Sequence, residues 1–569
     1  MNLWLPLFSL ICVGYSMAEE DIVVKLWRKK GKILGHILKS ENGIDYYVFQ
    51  EIPYAVPPIG PNRFKEPKEH EDWNGILNTT ANKKVCMQNN KIAFTKVPDT
   101  MEITEDCLFM NVYTPVKPGT KDEALPVLFW IHAGGYFYGS GAYQYYDPKY
   151  LIDYGIVVVT MNYRLGPFGF LTTEDGVIPG NLGLKDQVLA FEWVIKNIHL
   201  FGGDPKSITV AGESAGAVSA SYLQLSRKLR GFEGHIRGFI MESGTSLTPI
   251  GLQNKARHFA FKLGKTLNPN FESNSSKNLQ ALLYKASSSD ILFADVQNDV
   301  YTANIISRNV IWVPVIENEI NSNSVVTTHM HEAYLRGDFI RVPLLTGFCS
   351  EESKFFVRLT LSEIEAEGNI FDRNVSLMIN PQLNVKAKFL KQASEEYKRI
   401  YTKGTFQGNP GAFMKYLSEE SFTTPGIRTA ELVSKFSNVY LYEFAYEGEI
   451  AGLSFLTNVP GANNVAHTSE LKYLFGGVEG AIKDAKDYPK PDQMIMKKML
   501  KLWSNFIKYQ NPTPKQDNLL GNVLWPPVKA GPIQYLMINN TLEVLANPKY
   551  YNQVRKVFID YIRPPLNVF

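Results

Sequence analysis

Several short apolar runs near the middle of the chain predict strands that are buried on both faces of a sheet. Residues 127–131, 157–161 and 208–211 form such runs, and a Gly-rich or polar segment follows each of them. Between the second and third runs, residues 184–198 place apolar side chains at the spacing of a helix. Strands that alternate with helices in this way are typical of a parallel sheet covered on both sides. The pattern predicts an α/β fold with a large, mostly parallel central sheet flanked by helices.

The N-terminal part of the chain has a different pattern, typical of hairpins. Residues 22–27 and 32–38 lie on either side of Lys29-Lys30-Gly31, which is a turn signal. No internal repeat, low-complexity tract or change in composition indicates a linker, so we expect residues 19–569 to fold as a single domain. In open α/β sheets, ligands bind beyond the carboxyl ends of the strands, so the chemistry should follow the apolar runs.

The first 18 residues of the chain are predicted to be a secretory signal peptide. Residues 3–13 form an apolar run that is too short to span a bilayer, and Ser16-Met17-Ala18 places small residues before a cleavage site. No later stretch is long and apolar enough to span a membrane. We therefore expect a secreted, extracellular protein without a membrane span.

Cysteine usage agrees with an oxidising compartment. Removal of the signal peptide would discard Cys12 and leave Cys86, Cys107 and Cys349. A disulfide between the near pair, Cys86 and Cys107, would contribute roughly 3 kcal/mol by loop-entropy estimates. It would leave Cys349 as a buried free thiol. Candidate glycosylation sites are the Asn-X-Ser/Thr sequons at Asn78, Asn274, Asn374 and Asn539.

Composition and charge narrow the classes of partner. Lys and Arg total 59 against 56 Asp and Glu, a formal net charge of +3, and 45% of the residues are hydrophobic. This balance does not favour binding to nucleic acid or to an anionic membrane surface. No set of His, Cys or carboxylate residues has the spacing of a metal site. A small-molecule substrate is indicated, and neither a metal nor another cofactor is predicted.

The strongest chemical signal in the chain is the pentapeptide Gly212-Glu213-Ser214-Ala215-Gly216. It follows the apolar run 208–211 and precedes the helix-prone segment 217–225. A G-x-S-x-G turn between a strand and a helix lifts the serine hydroxyl above the sheet, and its glycines allow close backbone approach. The following helix directs its positive end at a developing oxyanion. A tight turn that needs small residues for packing is the alternative, but the predicted context favours Ser214 as a nucleophile.

A glycine-rich loop follows the first buried run and is predicted to form an oxyanion hole. The loop is His132-Ala133-Gly134-Gly135-Tyr136. Consecutive glycines can direct backbone N–H groups into a cavity without obstruction by side chains. We assign the donors to Gly134 and Gly135, with the N–H of Ala215 as the third. A flexible loop is the alternative, and His132 is expected to brace the loop by hydrogen bonds.

The base and the acid that would activate Ser214 follow it in the chain. An imidazole must take the serine proton, and a carboxylate must orient the imidazole. In the α/β-hydrolase fold the order is Ser, acid, His, and only His467 leaves enough chain for an acid at the end of an intervening strand. Residues 343–347 predict that strand, and Glu351 and Glu352 follow it. Spacing alone leaves open which glutamate acts.

Taken together, these motifs resemble the type B carboxylesterase and cholinesterase family over nearly the whole mature chain. The resemblance is closest to the secreted insect carboxylesterases. It implies the α/β-hydrolase fold and hydrolysis of carboxylic esters without a cofactor. The supporting segments are Ile52-Pro53-Tyr54-Ala55, Pro57-Pro58, Arg63-Phe64, Glu105-Asp106-Cys107-Leu108, Asn162-Tyr163-Arg164, Gly180-Asn181, Gly183-Leu184, Asp186-Gln187 and Phe201-Gly202-Gly203-Asp204-Pro205.

The resemblance also implies which carboxylate and which histidine act. The family's G-x-x-x-x-E motif, followed after two residues by Phe-Phe, matches Gly347, Glu352 and Phe355-Phe356. Glu352 is therefore implied as the acid, with Glu351 beside it. The segment Val465-Ala466-His467 and the residues after it match the histidine motif.

Other residues acquire supporting roles from the same resemblance. It implies a Cys86–Cys107 disulfide with a neighbouring Arg63–Glu105 ion pair. Ser243 is implied as a serine that lies beside the triad, and we place Glu213, next to the nucleophile, in the same supporting layer.

The chain departs from the family pattern at several positions. Ala133 replaces the first of three glycines, and Ser353 stands where Gly usually follows the acid. The segment between Cys86 and Cys107 contains no Trp, whereas cholinesterases carry one there to hold a quaternary ammonium group. A choline ester is therefore not expected. Juvenile hormone esterases usually have Gln before the nucleophile, so Glu213 weighs against that specialisation.

The sequence therefore predicts a secreted serine carboxylesterase that acts through an acyl-enzyme intermediate. Ser214 would attack the ester, His467 would transfer the proton, and Glu352 would orient His467. One alternative is an esterase specialised for juvenile hormone, an odorant or a pheromone. Another is a non-catalytic adhesion module, a class that typically loses a triad residue, whereas all three positions are filled here.

Overall fold

A computed structural model describes residues 22–90, 93, 96–120, 124–295, 310–318, 321–355, 360–451, 457–477, 484–566 and 568–569. The predicted signal peptide and Phe356 lie outside these residues. The described strands are β1 (Ile22–Lys25), β2 (Lys32–Lys39), β3 (Asp45–Pro53), β4 (Ile76–Asn78), β5 (Lys84–Cys86), β6 (Glu102–Thr104), β7 (Phe109–Thr114), β8 (Leu125–Ile131), β9 (Val157–Met161), β10 (Gly203–Glu213), β11 (Ile236–Glu242), β12 (Leu344–Cys349), β13 (Val439–Phe444), β14 (Gln534–Ile538) and β15 (Leu542–Ala546).

The described α-helices cover both faces of the sheet. They are α1 (Lys149–Ile152), α2 (Gly166–Phe170), α3 (Leu182–Asn197), α4 (Ala215–Leu225), α5 (Arg227–Arg230), α6 (Ala256–Leu267), α7 (Ser276–Lys285), α8 (Ser288–Phe293), α9 (Met330–Arg336), α10 (Leu361–Arg373), α11 (Ala387–Tyr401), α12 (Pro410–Ser418), α13 (Thr424–Val433), α14 (Lys490–Tyr509) and α15 (Tyr551–Tyr561). Within the described ranges, none of them is long and apolar enough to cross a bilayer.

The strands form one large sheet and a separate β5–β6 pair. In the large sheet the order is β1-β2-β3-β7-β9-β8-β10-β11-β12-β13-β14-β15, and β4 pairs with β2. Every neighbouring pair from β9 to β14 is parallel. Antiparallel pairs lie at both edges. The prediction of an α/β-hydrolase fold with a large, mostly parallel central sheet is confirmed.

Alternate residues of the central strands pack into two separate cores. Val210 and Phe239 lie in one core, which α3 and α4 cover. Ala211 and Ile240 lie in the other core, with Phe506 of α14. Because both faces are covered, nearly every central-strand position is buried, and the strands have no polar alternation.

The apolar pattern located the central strands but missed the polar part of one of them. β10 begins at Gly203, five residues before the predicted run, and residues 204–207 are partly buried or exposed. Gly203 still pairs with Leu125 across a register shift. Ladder hydrogen bonds do not require apolar side chains, so a search for apolar runs detects only the part of the strand that lies under the helices.

The covalent and ionic features predicted near the N-terminus are present. A disulfide joins Cys86 to Cys107, and Arg63 lies 2.5 Å from Glu105 in an ion pair with little exposure. Cys349 is a buried free thiol, as expected. Asn78, Asn274 and Asn374 are exposed and Asn539 is partly exposed, so these four candidate glycosylation sites lie at the surface.

Candidate active site

Ser214 lies in a strained turn between the end of β10 and the start of α4. Its φ is 54° and its ψ is −123°, a combination that costs of order 1–3 kcal/mol for a residue with a side chain. A Cβ at Gly216 would lie 2.0 Å from the carbonyl oxygen of Ile131, and one at Gly212 would lie 2.4 Å from the carbonyl carbon of Gly216. Both flanking glycines are therefore required by close backbone approach, as the G-x-S-x-G motif predicts.

The same close approach places the glycine-rich loop beside the Ser214 turn. Ile131 ends β8, and the predicted oxyanion loop follows it directly. Gly134 has a φ of 112°, and a Cβ there would lie 2.0 Å from the carbonyl oxygen of Tyr138. Gly135 has a φ of 57°, in the left-handed region. The two glycines therefore allow a backbone path that residues with side chains would strain.

The residues that precede these glycines brace the loop. The N–H of Ala133 donates to the Tyr146 hydroxyl at 3.3 Å. His132 has its Nδ1 2.7 Å from the carbonyl oxygen of Ala133, and its ring stacks on Tyr163 with a centroid separation of 4.3 Å. Burial lowers the pKa of His132 to about 4, so this imidazole is neutral at pH 7 and acts as a packing and hydrogen-bonding group.

Glu352 and His467 are in direct contact. Nδ1 of His467 lies 2.6 Å from Oε2 of Glu352, and both side chains are buried. The other carboxylate oxygen, Oε1, accepts hydrogen bonds from the Ser243 hydroxyl and from the backbone N–H of Cys349, each at 2.7 Å. Glu351 makes no such contact and instead accepts a hydrogen bond from Ser418. Spacing alone could not distinguish the two glutamates, but their contacts differ: only Glu352 touches the ring of His467.

The other ring nitrogen of His467 faces the residue next to Ser214. Nε2 lies 3.0 Å from Oε1 of Glu213, which is fully buried. Burial alone would lower the pKa of His467, but the carboxylates of Glu213 and Glu352 outweigh it and raise that pKa to about 10. For the carboxyl of Glu213, burial has the opposite effect and raises the pKa. The imidazole is thus held between two carboxylates in a buried site.

Parallel strand ends explain why so many acidic groups converge here. Glu213 at the end of β10 is in register with Glu242 at the end of β11, and Cys349 ends the next strand, β12. Glu242 accepts a hydrogen bond from the Trp503 indole at 2.7 Å, and burial raises the pKa of Glu242. Neighbouring parallel strands end at one edge of a sheet, so their terminal side chains meet.

No role at this site was predicted from the sequence for three further groups: Cys349, Glu470 and Phe422. The thiol of Cys349 donates to Oε2 of Glu470 at 2.9 Å, and burial raises the pKa of Glu470 to about 7. Phe422 covers the ring of His467, with 4.5 Å between ring centroids. Glu470 lies three residues after His467, which was a usable signal. Phe422 lies in a π-helical segment, Glu419–Thr423, which has no periodic pattern in the sequence.

The site combines the groups that acyl transfer through a serine requires. It has a serine on a strained turn, an imidazole oriented by a carboxylate, and glycines beside the serine that could present N–H donors. Among the described residues, no group of three or more His, Cys, Asp or Glu side chains is arranged to hold a metal ion.

Comparison with known proteins gives the family directly. Residues 20–557 match the model of the Carboxylesterase family. A juvenile hormone esterase of Heliothis virescens is 31% identical over 90% of this chain and 90% of its own length. Carboxylesterase 5A of Felis catus is 30% identical over 87% of each chain.

The solved structures agree on the fold. The crystal structure of juvenile hormone esterase from Manduca sexta, with OTFP covalently attached, has a TM-score of 0.81, with 95% of this chain and 99% of that chain covered and 24% identity. The sequence match across nearly the whole chain and this common fold lead to one conclusion. The protein belongs to the carboxylesterase family and is a carboxylic ester hydrolase.

Proposed function

We propose that the protein hydrolyses small-molecule carboxylic esters through an acyl-enzyme intermediate formed on Ser214. One observation carries this proposal: the imidazole of His467 is held by Glu352 at Nδ1 and directs Nε2 toward Glu213, the residue next to Ser214. In serine hydrolases, an imidazole that a carboxylate holds at Nδ1 takes the proton of the serine hydroxyl at Nε2. His467 is then the base and Glu352 the acid that orients it.

The reaction proceeds in two similar steps. His467 takes the Ser214 proton as the hydroxyl attacks the ester carbonyl, and the alcohol leaves with that proton. Water then attacks the acyl-enzyme with the same assistance and releases the carboxylic acid. The N–H groups of Gly134, Gly135 and Ala215 stabilise the oxyanion in both steps, and each such donor is worth roughly 3 kcal/mol. Water is the only co-reactant that this route needs.

We expect Glu213 to control the pH at which His467 becomes a base. Because the pKa of His467 is raised above its ordinary 6.5, the acidic limb of kcat/KM should lie above pH 6.5 in the wild type. Glu213→Gln removes one of the two charges that raise this pKa, so the limb should move to lower pH. A pH–rate profile measures the shift, and Glu317→Gln, which removes a buried charge paired with Lys185, is the control. An unmoved limb in Glu213→Gln would contradict this role.

The mature protein is proposed to be residues 19–569, secreted as a single domain. The Cys86–Cys107 disulfide supports an oxidising compartment. The surface positions of the four sequons are compatible with glycosylation in that compartment.

A more specialised substrate is the second candidate. Relatives named juvenile hormone esterase, from Heliothis virescens and Tribolium castaneum, are 31% and 30% identical to this chain. Juvenile hormone would then be preferred over simple esters. Comparison of kcat/KM for juvenile hormone, naphthyl acetate and a longer-chain nitrophenyl ester tests this preference. Equal or higher values for the simple esters would exclude the specialised role and leave the general one.

Covalent labelling tests the proposed mechanism itself. An organophosphate should inactivate the protein with a stoichiometry of one, and peptide mapping should locate the phosphoryl group on Ser214. The rate of labelling should follow the acidic limb of ester hydrolysis, because both reactions need neutral His467. A modified peptide elsewhere in the chain would contradict the assignment of the nucleophile.

A further inference from the structure

The proposed reaction makes no use of Glu351, yet this residue is buried beside the candidate acid and joins several segments. Its backbone N–H donates to the carbonyl oxygen of Val465 at 2.9 Å. Its Oε1 accepts from the Ser418 hydroxyl at 2.6 Å, and its Oε2 accepts from the backbone N–H of Asn463 at 3.1 Å. The residue has 0% of its surface exposed. A buried carboxylate is costly unless it is hydrogen-bonded, so these contacts hold the segments together.

The first segment is the loop that carries the candidate base. Asn463 and Val465 lie four and two residues before His467. The backbone N–H of His467 also donates to the carbonyl oxygen of Glu352, at 3.4 Å. The acid loop and the histidine loop are therefore attached at adjacent points, and Glu351 supplies two of the attachments.

The second segment is the end of α12. The Ser418 hydroxyl donates to Glu351 and accepts the backbone N–H of Ser353 at 3.0 Å. Glu351 and Ser353 are the two chain neighbours of Glu352, so one hydroxyl holds both sides of the candidate acid. The Ser353 hydroxyl also donates to the carbonyl oxygen of Met414 at 2.8 Å, which a glycine at this position would not do.

The π-helical segment Glu419–Thr423 begins directly after Ser418 and carries Phe422 onto His467. Phe422 is itself buried. The hydrogen bond that Nδ1 of His467 donates to Glu352 holds one edge of the imidazole, and the phenyl ring of Phe422 covers one of its faces. These two contacts together limit the rotation of the imidazole, and hence the direction of Nε2. Short π-helical segments of this kind occur frequently at functional sites.

We propose that Glu351 is a positioning residue for His467. Through Asn463 it joins the loop of Glu352 to the loop of His467. Through Ser418 it joins both loops to the π-helical segment that places Phe422 against the imidazole. This inference rests on the proposed function, because it concerns the orientation of His467 as the base in that reaction. Glu351 does not touch the reacting atoms. It acts by fixing the position of Glu352, which contacts the edge of the His467 ring, relative to Phe422, which contacts its face.

Four variants test the proposal by kcat, KM, pH dependence and unfolding in urea, with 4-nitrophenyl acetate as substrate. Glu351→Ala should lower kcat roughly 10- to 100-fold with KM changed by less than about threefold, because misplacement of a catalytic group by ~1 Å has an effect of this size. Glu351→Gln should keep kcat within about threefold, because the amide can accept from Asn463 and donate to Ser418. Ser418→Ala removes only one link, so its loss in kcat should be smaller, roughly three- to tenfold.

The pH profile separates a positioning role from a loss of stability. Glu352 at Nδ1 and Glu213 at Nε2 are the charged groups in contact with His467. A looser Glu352 contact raises the pKa of His467 less, so the acidic limb should move to lower pH in Glu351→Ala. Phe413→Leu is the matched control, since Phe413 lies on α12 and packs against Phe371. It should lower stability without moving this limb or kcat.

Two results would overturn the proposal. The first is a folded Glu351→Ala variant, or a folded Ser418→Ala variant, with wild-type kcat and an unmoved limb. The second is an equal loss of kcat in the Phe413→Leu control, which would assign the effect to stability. If Glu351→Ala does not fold, Ser418→Ala decides the question by the same criteria. Failure of the proposed function itself would be seen separately, as normal turnover by a Ser214→Ala variant.

Discussion

Replacing Ser214 with alanine should lower kcat for a simple ester by roughly 10³-fold or more, because no nucleophile remains to form the acyl-enzyme. KM should change little, since the hydroxyl contributes to the transition state more than to substrate binding. Organophosphate labelling should disappear in the same variant. The free energy of unfolding should be unchanged or slightly higher. The backbone strain stays, because residue 214 keeps its φ of 54°, and the variant no longer buries a polar hydroxyl.

Ser219→Ala is the matched control for this measurement. Ser219 is another buried serine, also on α4, and its hydroxyl accepts from the Gln187 amide at 3.0 Å. Its loss should reduce stability by about 1 kcal/mol and leave kcat within about twofold. Wild-type turnover by Ser214→Ala, or equal losses in the two variants, would remove the basis of the proposed mechanism.

The second large effect is expected for Glu352→Gln, with a fall in kcat of roughly 10³- to 10⁴-fold. The amide has the shape of the carboxylate but can present an N–H to Nδ1 of His467. Nδ1 then becomes the acceptor and Nε2 carries the proton, so the imidazole cannot take the proton of Ser214. The charge that stabilises the imidazolium during the reaction is also lost. Steady-state kinetics across pH 6–10 measure both effects.

Glu317→Gln controls for the loss of a buried carboxylate in general. Glu317 accepts hydrogen bonds from the backbone N–H groups of Val325 and Val326, at 2.8 and 3.1 Å, and contacts none of the described active-site side chains. Its kcat should stay within about twofold of wild type. If Glu352→Gln fell no further than this control, Glu352 would not be the acid.

Glu351 and Glu352 are neighbours in the chain but make different contacts. Glu352 follows β12 at a position where one oxygen reaches the imidazole and the other reaches Ser243 and the N–H of Cys349. Glu351 points into the layer formed by α12 and the histidine loop. Glu352, which the family motif implied as the acid, is the one of the pair that contacts His467. The contacts of Glu351 could not be predicted, because Ser418 and Asn463 are distant in sequence.

The buried strands and the tight turns followed from local sequence alone. A strand covered on both faces must be apolar along its length, and a backbone that passes within contact distance of another backbone must carry glycine. Both requirements act on short stretches, such as residues 157–161 and the pentapeptide around Ser214, so a short stretch is sufficient to predict them. The polar start of β10 was missed because its pairing does not depend on side chains.

Only the tertiary structure decided which distant groups meet at the ends of the central strands. Glu213, Glu242 and Glu470 converge around His467 and Cys349 because parallel strands and their loops end at one edge. Phe422 reaches the imidazole through a π-helical segment that has no sequence signal. Contacts of this kind depend on how the sheet, helices and loops pack together, and no pattern in the neighbouring sequence predicts them. The sequence determined which side chains and tight turns the site contains, and the packing of the sheet, helices and loops decided where those side chains point.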